Sequence, residues 1–262
     1  MRIIDLTVKL EAKEKIQNGI WNKFNQIVGN NDVYDICLKV LAEQDVHYGV
    51  ETFDFNHNIE KIFRIEKDIM IMYDNWKKFI IFPIYDPYSF QAFSNQAFYT
   101  NAVRYNIIQL HSSLIEHKGR GLMFLGPSGI GKTTQAELWN KYRDALIING
   151  DIVFVQEKEE CFLGWGTPWH GSSPYCENTS VPVHAMIVLK QAPENSIREL
   201  TGFEKVTAVS NSVFYPQWLE NGMELCLETL DHLLSSVPVY ELSCRPDEES
   251  VRLTEEAVFG RL

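Results

Sequence analysis

A nine-residue stretch, Gly126–Thr134, constrains the fold of this chain more than any other part of the sequence. It reads Gly-Pro-Ser-Gly-Ile-Gly-Lys-Thr-Thr and matches the phosphate-loop pattern G-x-x-x-x-G-K-[ST]. The apolar run Gly121–Leu125 before it is short enough for a buried strand, and the residues from Thr134 to Tyr142 have the apolar spacing of a helix. The pattern therefore predicts a strand, a glycine-rich loop and a helix that together bind the phosphates of a nucleotide.

Each residue type in this stretch has a chemical task in phosphate binding. The glycines let the backbone approach phosphate oxygens, and the N–H groups at a helix N-terminus attract anions. Lys132 supplies a positive charge for the β- and γ-phosphates, and Thr133 offers a hydroxyl to Mg²⁺. ATP and Mg²⁺ are therefore the expected cofactors. The residues expected to hold the nucleotide are Gly126, Pro127, Ser128, Gly129, Ile130, Gly131, Lys132, Thr133 and Thr134.

Charge and cysteine usage bear on the partners and the compartment. The formal net charge is −11 and no cluster of lysine or arginine is present, which argues against a nucleic-acid partner. The five cysteines are scattered without a C-x-x-C pair, as expected of reduced thiols in the cytoplasm. The N-terminus lacks the apolar core of a signal peptide, and no apolar run reaches the roughly 18 residues that span a bilayer. We therefore expect a cytoplasmic protein with no membrane partner.

The chain divides into two parts that differ in amino-acid composition and in motifs. Residues 1–100 are rich in aromatic residues, asparagine and aspartate, and are predicted to form a small mixed α+β domain. Residues 101–262 contain the phosphate loop and are predicted to form the nucleotide-binding domain. Within the first part, three strand-like runs predict a small antiparallel meander. These runs are 61–65, 68–73 and 77–84.

Other segments are interpreted from local composition. Pro83, Pro87 and the polar residues up to Gln96 predict a connection, and residues 102–108 a short helix. Residues 194–230 are predicted to be mostly helical, with breaks at glycine and proline. Residues 166–180 form the largest polar loop, and loops of this length are often functional. Trp169 and His170 in it either contact a substrate or pack the loop.

An acidic partner for the phosphate loop is Asp151. It follows an apolar strand and stands nineteen residues after Lys132, so the intervening helix and turn are just long enough to return that strand alongside the first. Phosphoryl transfer from Mg²⁺·ATP requires a carboxylate near the metal. Asn149-Gly150-Asp151 is also ordinary turn chemistry, so Asp151 either contacts the metal or only forms a turn.

With these residues placed, the stretch from His111 to Ala192 resembles the HPr kinase/phosphorylase family, which shares its core with phosphoenolpyruvate carboxykinase. The G-x-G-K-T tail of the loop carries the resemblance, together with Asp151 and with His111, fifteen residues before the first loop glycine. The family usually has Ala-Asp-Asp where this chain has Asn149-Gly150-Asp151. Only the second acid of the family's pair is therefore present.

The resemblance implies an α/β fold, namely a P-loop core of the HPr kinase/carboxykinase type with a mixed sheet and flanking helices. It implies a kinase that transfers the γ-phosphate of ATP to a hydroxyl, with His111, Asp151 and Lys132 as catalytic residues. Asp151 would lie with Thr133 beside Mg²⁺ and also act as base toward a seryl hydroxyl, while His111 orients that carboxylate.

The missing first acid at Gly150 leaves two possibilities. Either Asp151 fills both roles, or another carboxylate such as Glu137 or Glu177 replaces the missing one.

The acceptor is less defined than the donor. The chain lacks the glycine-rich signature by which HPr kinases recognise HPr, and its long loop looks like that of bacterial kinase relatives, some of which accompany ribosomal-peptide modification. The expected acceptor is therefore a serine of a protein or peptide, such as a ribosomal precursor peptide, and the family suggests a homo-oligomer.

Two alternatives to a kinase stay open. One is a carboxykinase, which needs an arginine to hold a small acid. The other is a non-catalytic nucleotide-binding module. The arginines available for the first are Arg120, Arg143, Arg198 and Arg245.

Overall fold

A computed structural model describes residues 1–12, 20–24, 33–41, 58–82 and 86–260. Within these residues the protein is a mixed α/β protein with two mixed sheets and five α-helices. The chain divides into two compact units, Met1–Ala102 and Val103–Leu262. No helix in the described parts of the chain is long and apolar enough to cross a membrane.

The first unit contains a six-stranded sheet in its described residues. Its strands are β1 (Arg2–Ile3), β2 (Leu6–Ala12), β3 (Ile36–Val40), β4 (Lys61–Ile65), β5 (Asp68–Tyr73) and β6 (Lys78–Ile81). They lie in the order β1–β2–β3–β6–β5–β4, and β3 is parallel to both of its neighbours. The predicted antiparallel pairing of β4, β5 and β6 is confirmed. Pro83 and Ile84, at the end of the third predicted run, lie outside the described residues.

A long helix follows where the sequence predicted a connection. Helix α1 (Pro87–Ala102) begins with a proline, which suits the first position of a helix because its missing N–H would have no partner there. The Asp86 carboxylate accepts the Tyr88 N–H at 2.9 Å. The polar composition was misleading because a hydroxyl can be buried against a helix carbonyl, as at Ser94, whose Oγ donates to the Gln91 carbonyl at 3.1 Å.

The short helix predicted at residues 102–108 is also wrong. Only Ala102, the last residue of α1, and the 3-10 turn Val103–Tyr105 are helical there, and a strand begins at Ile107. A second described 3-10 helix lies in the first unit, at Trp21–Phe24.

The second unit is built on a nine-stranded sheet within its described residues. Its strands are β7 (Ile107–His117), β8 (Arg120–Leu125), β9 (Leu146–Asn149), β10 (Ile152–Glu157), β11 (Phe162–Trp165), β12 (Ser180–Gln191), β13 (Ser196–Leu200), β14 (Val213–Phe214) and β15 (Val239–Cys244). Its helices are α2 (Lys132–Arg143), α3 (Gly202–Ser210), α4 (Gly222–Ser236) and α5 (Glu248–Phe259). The main order is β11–β10–β7–β8–β12–β15–β13, with β8, β12 and β15 parallel. Strands β9 and β14 both pair with β7.

Two details differ from the sequence prediction. Strand β9 does not return alongside β8, because β7 and β12 already occupy the two edges of β8; it pairs with β7 instead. Residues 194–230 are not mostly helical, since they include β13 and β14 as well as α3 and part of α4. Residues of ordinary helix propensity form β13 because β15 offers a free edge for antiparallel pairing, and such a tertiary contact overrides local preference.

Helix α2 is held against the sheet by a buried apolar face. Ala136 and Trp139 are fully buried in a cluster with Ile115 of β7, Phe124 of β8 and Val251 of α5. Apolar burial contributes about 25 cal/mol per Å² removed from water. Because this face fixes α2 on β7 and β8, it also fixes the loop that enters the helix.

Candidate functional site

The loop Gly126–Gly131 connects the end of β8 to the first residue of α2, as the motif predicts. Its three glycines have φ values of 136°, 78° and 115°, in the region that residues with a Cβ avoid. The Ile130 N–H donates to the Pro127 carbonyl at 3.2 Å and closes a tight turn. The loop therefore adopts a curved path, with the N-terminus of α2 at its end.

Lys132, the first residue of α2, folds its side chain back over this loop. Its Nζ donates to the carbonyls of Gly126 at 3.1 Å and Pro127 at 3.2 Å. The residue is only 6% exposed, and this burial lowers the pKa of Lys132, while the negative charge of Asp151 acts in the opposite direction. The Lys132 carbonyl accepts a bond from Ser113 Oγ of β7 at 3.0 Å, which ties the first turn of the helix to the sheet.

The register of β7 brings His111 to the start of the loop. Ser112 lies opposite Leu125, the last residue of β8, so His111 lies one residue beyond that strand. On its other edge β7 pairs with β10, where Ile152 is opposite His111 and Asp151 comes just before. The imidazole Nε2 of His111 and Oδ1 of Asp151 consequently lie 2.9 Å apart, and both side chains are partly exposed.

Thr133 joins the loop to the same place. Its hydroxyl donates to the carbonyl of Gly150 at 3.2 Å. Gly150 links β9 to β10 and immediately precedes Asp151. The structure therefore brings together the helix start with Lys132 and Thr133, and the pair of His111 and Asp151.

Asn149 organises this turn and was not singled out as a site residue from the sequence. It is fully buried, and its Oδ1 accepts the N–H groups of Asp151 at 3.0 Å and Ile152 at 3.1 Å. Its Nδ2 donates to the carbonyls of Trp169 at 3.0 Å and Thr167 at 3.4 Å. One amide thus fixes the backbone of Asp151 and anchors the long polar loop. The sequence did contain a signal for this role of Asn149, because an asparagine before Gly-Asp commonly forms hydrogen bonds with the backbone of its own turn.

The long loop fills the space that a side chain at position 150 would need. A Cβ atom added to Gly150 would overlap the Ser173 hydroxyl and lie 2.5 Å from the Ser173 Cβ. Ser173 is buried, and its Oγ accepts the Tyr175 N–H at 3.3 Å. Ser173 therefore fills the space that a larger side chain at position 150 would need, and such a side chain requires the loop to move.

Gly171 brings the same loop against Asp151. It has a φ of 56°, and a Cβ added there would overlap Oδ2 and lie 2.7 Å from Cγ of Asp151. The backbone of the loop thus covers one oxygen of the carboxylate, while His111 contacts the other.

The three atoms nearest to a Cβ added at Gly150 belong to Ser173 and Tyr175, and to neither glutamate proposed as a substitute acid. Glu137 is exposed on α2 and accepts the Tyr175 hydroxyl at 3.0 Å, and this bond raises the pKa of Tyr175. The Glu177 N–H donates to the Ile148 carbonyl at 2.8 Å. Ser173 is the residue whose side chain lies at that position.

Trp169 packs the long loop from inside. It is 3% exposed, and its ring centroid lies 5.8 Å from that of Phe154 on β10. His170 is partly exposed, and its Nδ1 contacts the Ser173 carbonyl. The sequence left open whether Trp169 contacts a substrate or packs the loop, and in the structure it packs the loop.

The four arginines named for a carboxykinase have other partners. Arg143 contacts Glu255 at 2.6 Å, Arg198 contacts Glu204 and Glu241, and Arg245 contacts Asp247 at 3.2 Å. Arg120 lies over the ring of Phe259, 5.4 Å from its centroid.

The fold and the site define a mixed α/β protein in which a glycine-rich strand–loop–helix unit lies beside a histidine–carboxylate pair. A family model described as "SynChlorMet cassette protein ScmC" matches residues 91–245, more than half of the chain, and the protein belongs to this family.

Among solved structures, the chain is similar to the HPr(Ser) kinase/phosphatase from Coxiella burnetii. The identity is 10%, the match covers 57% of this chain and 95% of that chain, and the TM-score is 0.36. No curated protein shows a significant match in sequence. Membership of the HPr kinase family therefore stays a prediction.

Proposed function

We propose that this protein binds Mg²⁺·ATP at Gly126–Thr134 and transfers the γ-phosphate to a hydroxyl, that of a serine in a protein or peptide. One observation carries the proposal, the bond from the Thr133 hydroxyl to the Gly150 carbonyl. It holds the start of α2 against the turn that bears Asp151, whose carboxylate contacts His111. Phosphoryl transfer from Mg²⁺·ATP needs a phosphate-binding loop and, close to it, a carboxylate near the metal.

The nucleotide would be held by the loop and by two side chains that follow it. Lys132 Nζ exchanges its bonds to the loop carbonyls for bonds to the β- and γ-phosphates, and loop N–H groups bind the remaining oxygens. Thr133 and Asp151 fit the needs of Mg²⁺, which takes one or two protein oxygens and completes its shell with phosphate and water. Such a site needs no cluster of three acidic or histidine ligands, and none occurs among the described residues.

Asp151 and His111 would act on the acceptor. The acceptor oxygen forms a bond to the γ-phosphorus, the bond from that phosphorus to the bridging oxygen breaks, and ADP leaves. The hydroxyl proton passes to the Asp151 carboxylate. His111 keeps the carboxylate oriented through its contact with Oδ1.

A second candidate function is nucleotide binding without transfer. It is favoured by the environment of Gly150, where Ser173 takes the space of the acid that the resembled family carries. In this case ATP occupancy would change a partner surface, and no phosphate would leave the nucleotide.

The test is a comparison of ATP binding and phosphate transfer in three proteins. Lys132→Ala should weaken ATP binding about 10- to 100-fold, because a hydrogen bond to a charged group contributes about 1.5–3 kcal/mol. Lys141→Ala, at an exposed position on the same helix, should bind ATP as the wild type does. Binding is measured by calorimetry, and transfer by labelled γ-phosphate with serine-containing peptides.

The outcomes separate the candidates. Absence of ATP binding by the wild type, or unchanged binding by Lys132→Ala, refutes both functions. Lysine-dependent binding with phosphate transferred to a serine supports the kinase. Lysine-dependent binding with no transfer to peptide or water selects the non-catalytic module.

A further inference from the structure

A cavity of about 530 Å³ opens beside the phosphate loop. It is lined by the loop, by Thr134 and Gln135 of α2, by residues 189–193 and by residues 244–246. His111 and Asp151 are not among its lining residues. In the strand order, β7 and β10 lie on one side of β8, whereas β12 and β15, which lead into the cavity, lie on the other. Along the strand order, the histidine–carboxylate pair therefore lies on one side of β8 and the cavity on the other.

The cavity lies where parallel strands end. Strands β8, β12 and β15 are parallel, and β12 continues past Leu125, the end of β8, until Gln191 pairs with Cys244. In open α/β sheets, ligands bind in the crevice at the carboxyl ends of the strands. The volume is within the roughly 300–1,000 Å³ typical of small-molecule sites.

The walls combine apolar surfaces with one oriented amide. Ile130, Leu189 and Pro246 provide apolar surface. Gln135 is only 3% exposed, and its Nε2 donates to Cys244 Sγ at 3.3 Å and to Ser250 Oγ at 3.1 Å. Apolar walls with a few fixed polar groups suit a planar heterocycle that has polar edges.

We infer that this cavity binds the nucleoside of the nucleotide whose phosphates occupy the loop. The base lies between the apolar walls of Ile130, Leu189 and Pro246, and the phosphates extend along Gly129–Gly131 toward Asp151. The inference rests on the proposed function, because it needs phosphates in the loop. Nucleoside binding covers the Cys244 thiol, which lines the cavity.

Cys244 can report on occupancy of the cavity. Burial raises the pKa of Cys244, so its alkylation by N-ethylmaleimide is followed at mildly alkaline pH, by mass spectrometry of the peptides. ATP at ten times its Kd fills about 90% of the sites and should slow alkylation of Cys244 about tenfold. Inorganic tripolyphosphate, which fills only the loop, should leave the rate unchanged. Cys161, a partly exposed thiol just before β11, is the internal control and should react at one rate throughout.

A variant that fills the cavity gives an independent measurement. Ala192→Trp, at a partly exposed lining residue, should weaken ATP binding about tenfold or more and leave tripolyphosphate binding unchanged. Ala208→Trp on α3, outside the cavity, is the matched control and should bind both ligands as the wild type does.

The results distinguish this inference from the proposed function. If ATP and tripolyphosphate protect Cys244 equally, or Ala192→Trp leaves ATP binding unchanged, the nucleoside site is refuted while the phosphate site stands. If neither ligand binds the wild type, both proposals fall together.

Discussion

The imidazole of His111 and the carboxylate of Asp151 lie 2.9 Å apart, although forty residues separate them in the chain. Two strand registers produce this contact. Strand β7 carries His111 one residue past the end of β8, and β10 begins opposite His111. The Asp151 carbonyl also accepts the Ser112 N–H at 3.0 Å, so the backbone on both sides of the pair is fixed. A pair held in this way can orient a carboxylate without rearrangement when a substrate binds.

If Asp151 is the base, Asp151→Asn should lower phosphate transfer by about 100-fold or more, because general base catalysis contributes about 10²–10⁴-fold. Binding of metal-free ATP should change little, since Lys132 and the loop are untouched. His111→Asn should have a smaller effect on transfer, because His111 acts by orienting Asp151. Initial rates with labelled ATP measure the effect. Asp231→Asn, at an exposed position of α4, is the matched control, and an equal loss in that variant would contradict the assignment.

Gly150→Ala should destabilise the protein by about 1–3 kcal/mol, the usual cost of forcing extra atoms into packed space. The added Cβ overlaps the Ser173 hydroxyl. Ser173→Gly removes the overlapping atoms, so most of this cost should disappear when both substitutions are combined. Urea unfolding of the wild type, the two single variants and the double variant gives the coupling between the sites. The same loss from Gly150→Ala in both backgrounds would show that Ser173 is not its cause.

Gly171→Ala should cost more stability than Gly119→Ala and should also slow phosphate transfer. Both glycines have positive φ values, 56° and 75°, so both substitutions carry the left-handed backbone penalty of about 1–2 kcal/mol. A Cβ at Gly119 meets no atom within 4 Å, whereas a Cβ at Gly171 overlaps Asp151. Thermal unfolding and transfer rates compare the two variants. Equal stabilities with equal rates would mean that the loop adjusts freely around Asp151.

Acidification should destabilise the protein through His117. This residue of β7 is 6% exposed, and its ring lies 5.4 Å from that of Trp139 and 5.9 Å from that of Phe259, centroid to centroid. Burial, aided by the charge of Lys118, lowers the pKa of His117, and the Glu255 carboxylate 3.6 Å away opposes this only in part. The unfolded state therefore binds the His117 proton more readily than the folded state does. The free energy of unfolding falls as the pH drops through the ordinary histidine pKa.

The measurement for His117 is urea unfolding at about pH 7.5 and about pH 5.5, around the ordinary histidine pKa. The wild type should lose more stability between these conditions than His117→Gln, which has no group to titrate there. Equal losses in the two proteins would show that His117 does not contribute to the acid sensitivity.

Part of the site is specified by residues that are close together in the sequence. The strand, loop and helix around Gly126–Thr134 follow from an apolar run, glycine spacing and a helical pattern, which act between near neighbours in the chain. The role of Asn149 in its turn is also specified locally, because its hydrogen bonds to the N–H groups of Asp151 and Ile152 stay within three residues of the chain. Its bonds to Thr167 and Trp169 are different, since no local pattern specifies which loop will reach it.

The sequence by itself determined the phosphate-loop motif, the strand and helix that flank it, and the candidate residues His111 and Asp151. Only the tertiary structure decided that β9 pairs with β7, that residues 196–200 form a strand, and that Ser173 fills the space beside Gly150. The physical reason is the range of the interactions. Backbone conformation near a glycine or an apolar run depends on adjacent residues, whereas strand partners and the filling of space depend on which distant segments compete for the same edge or volume.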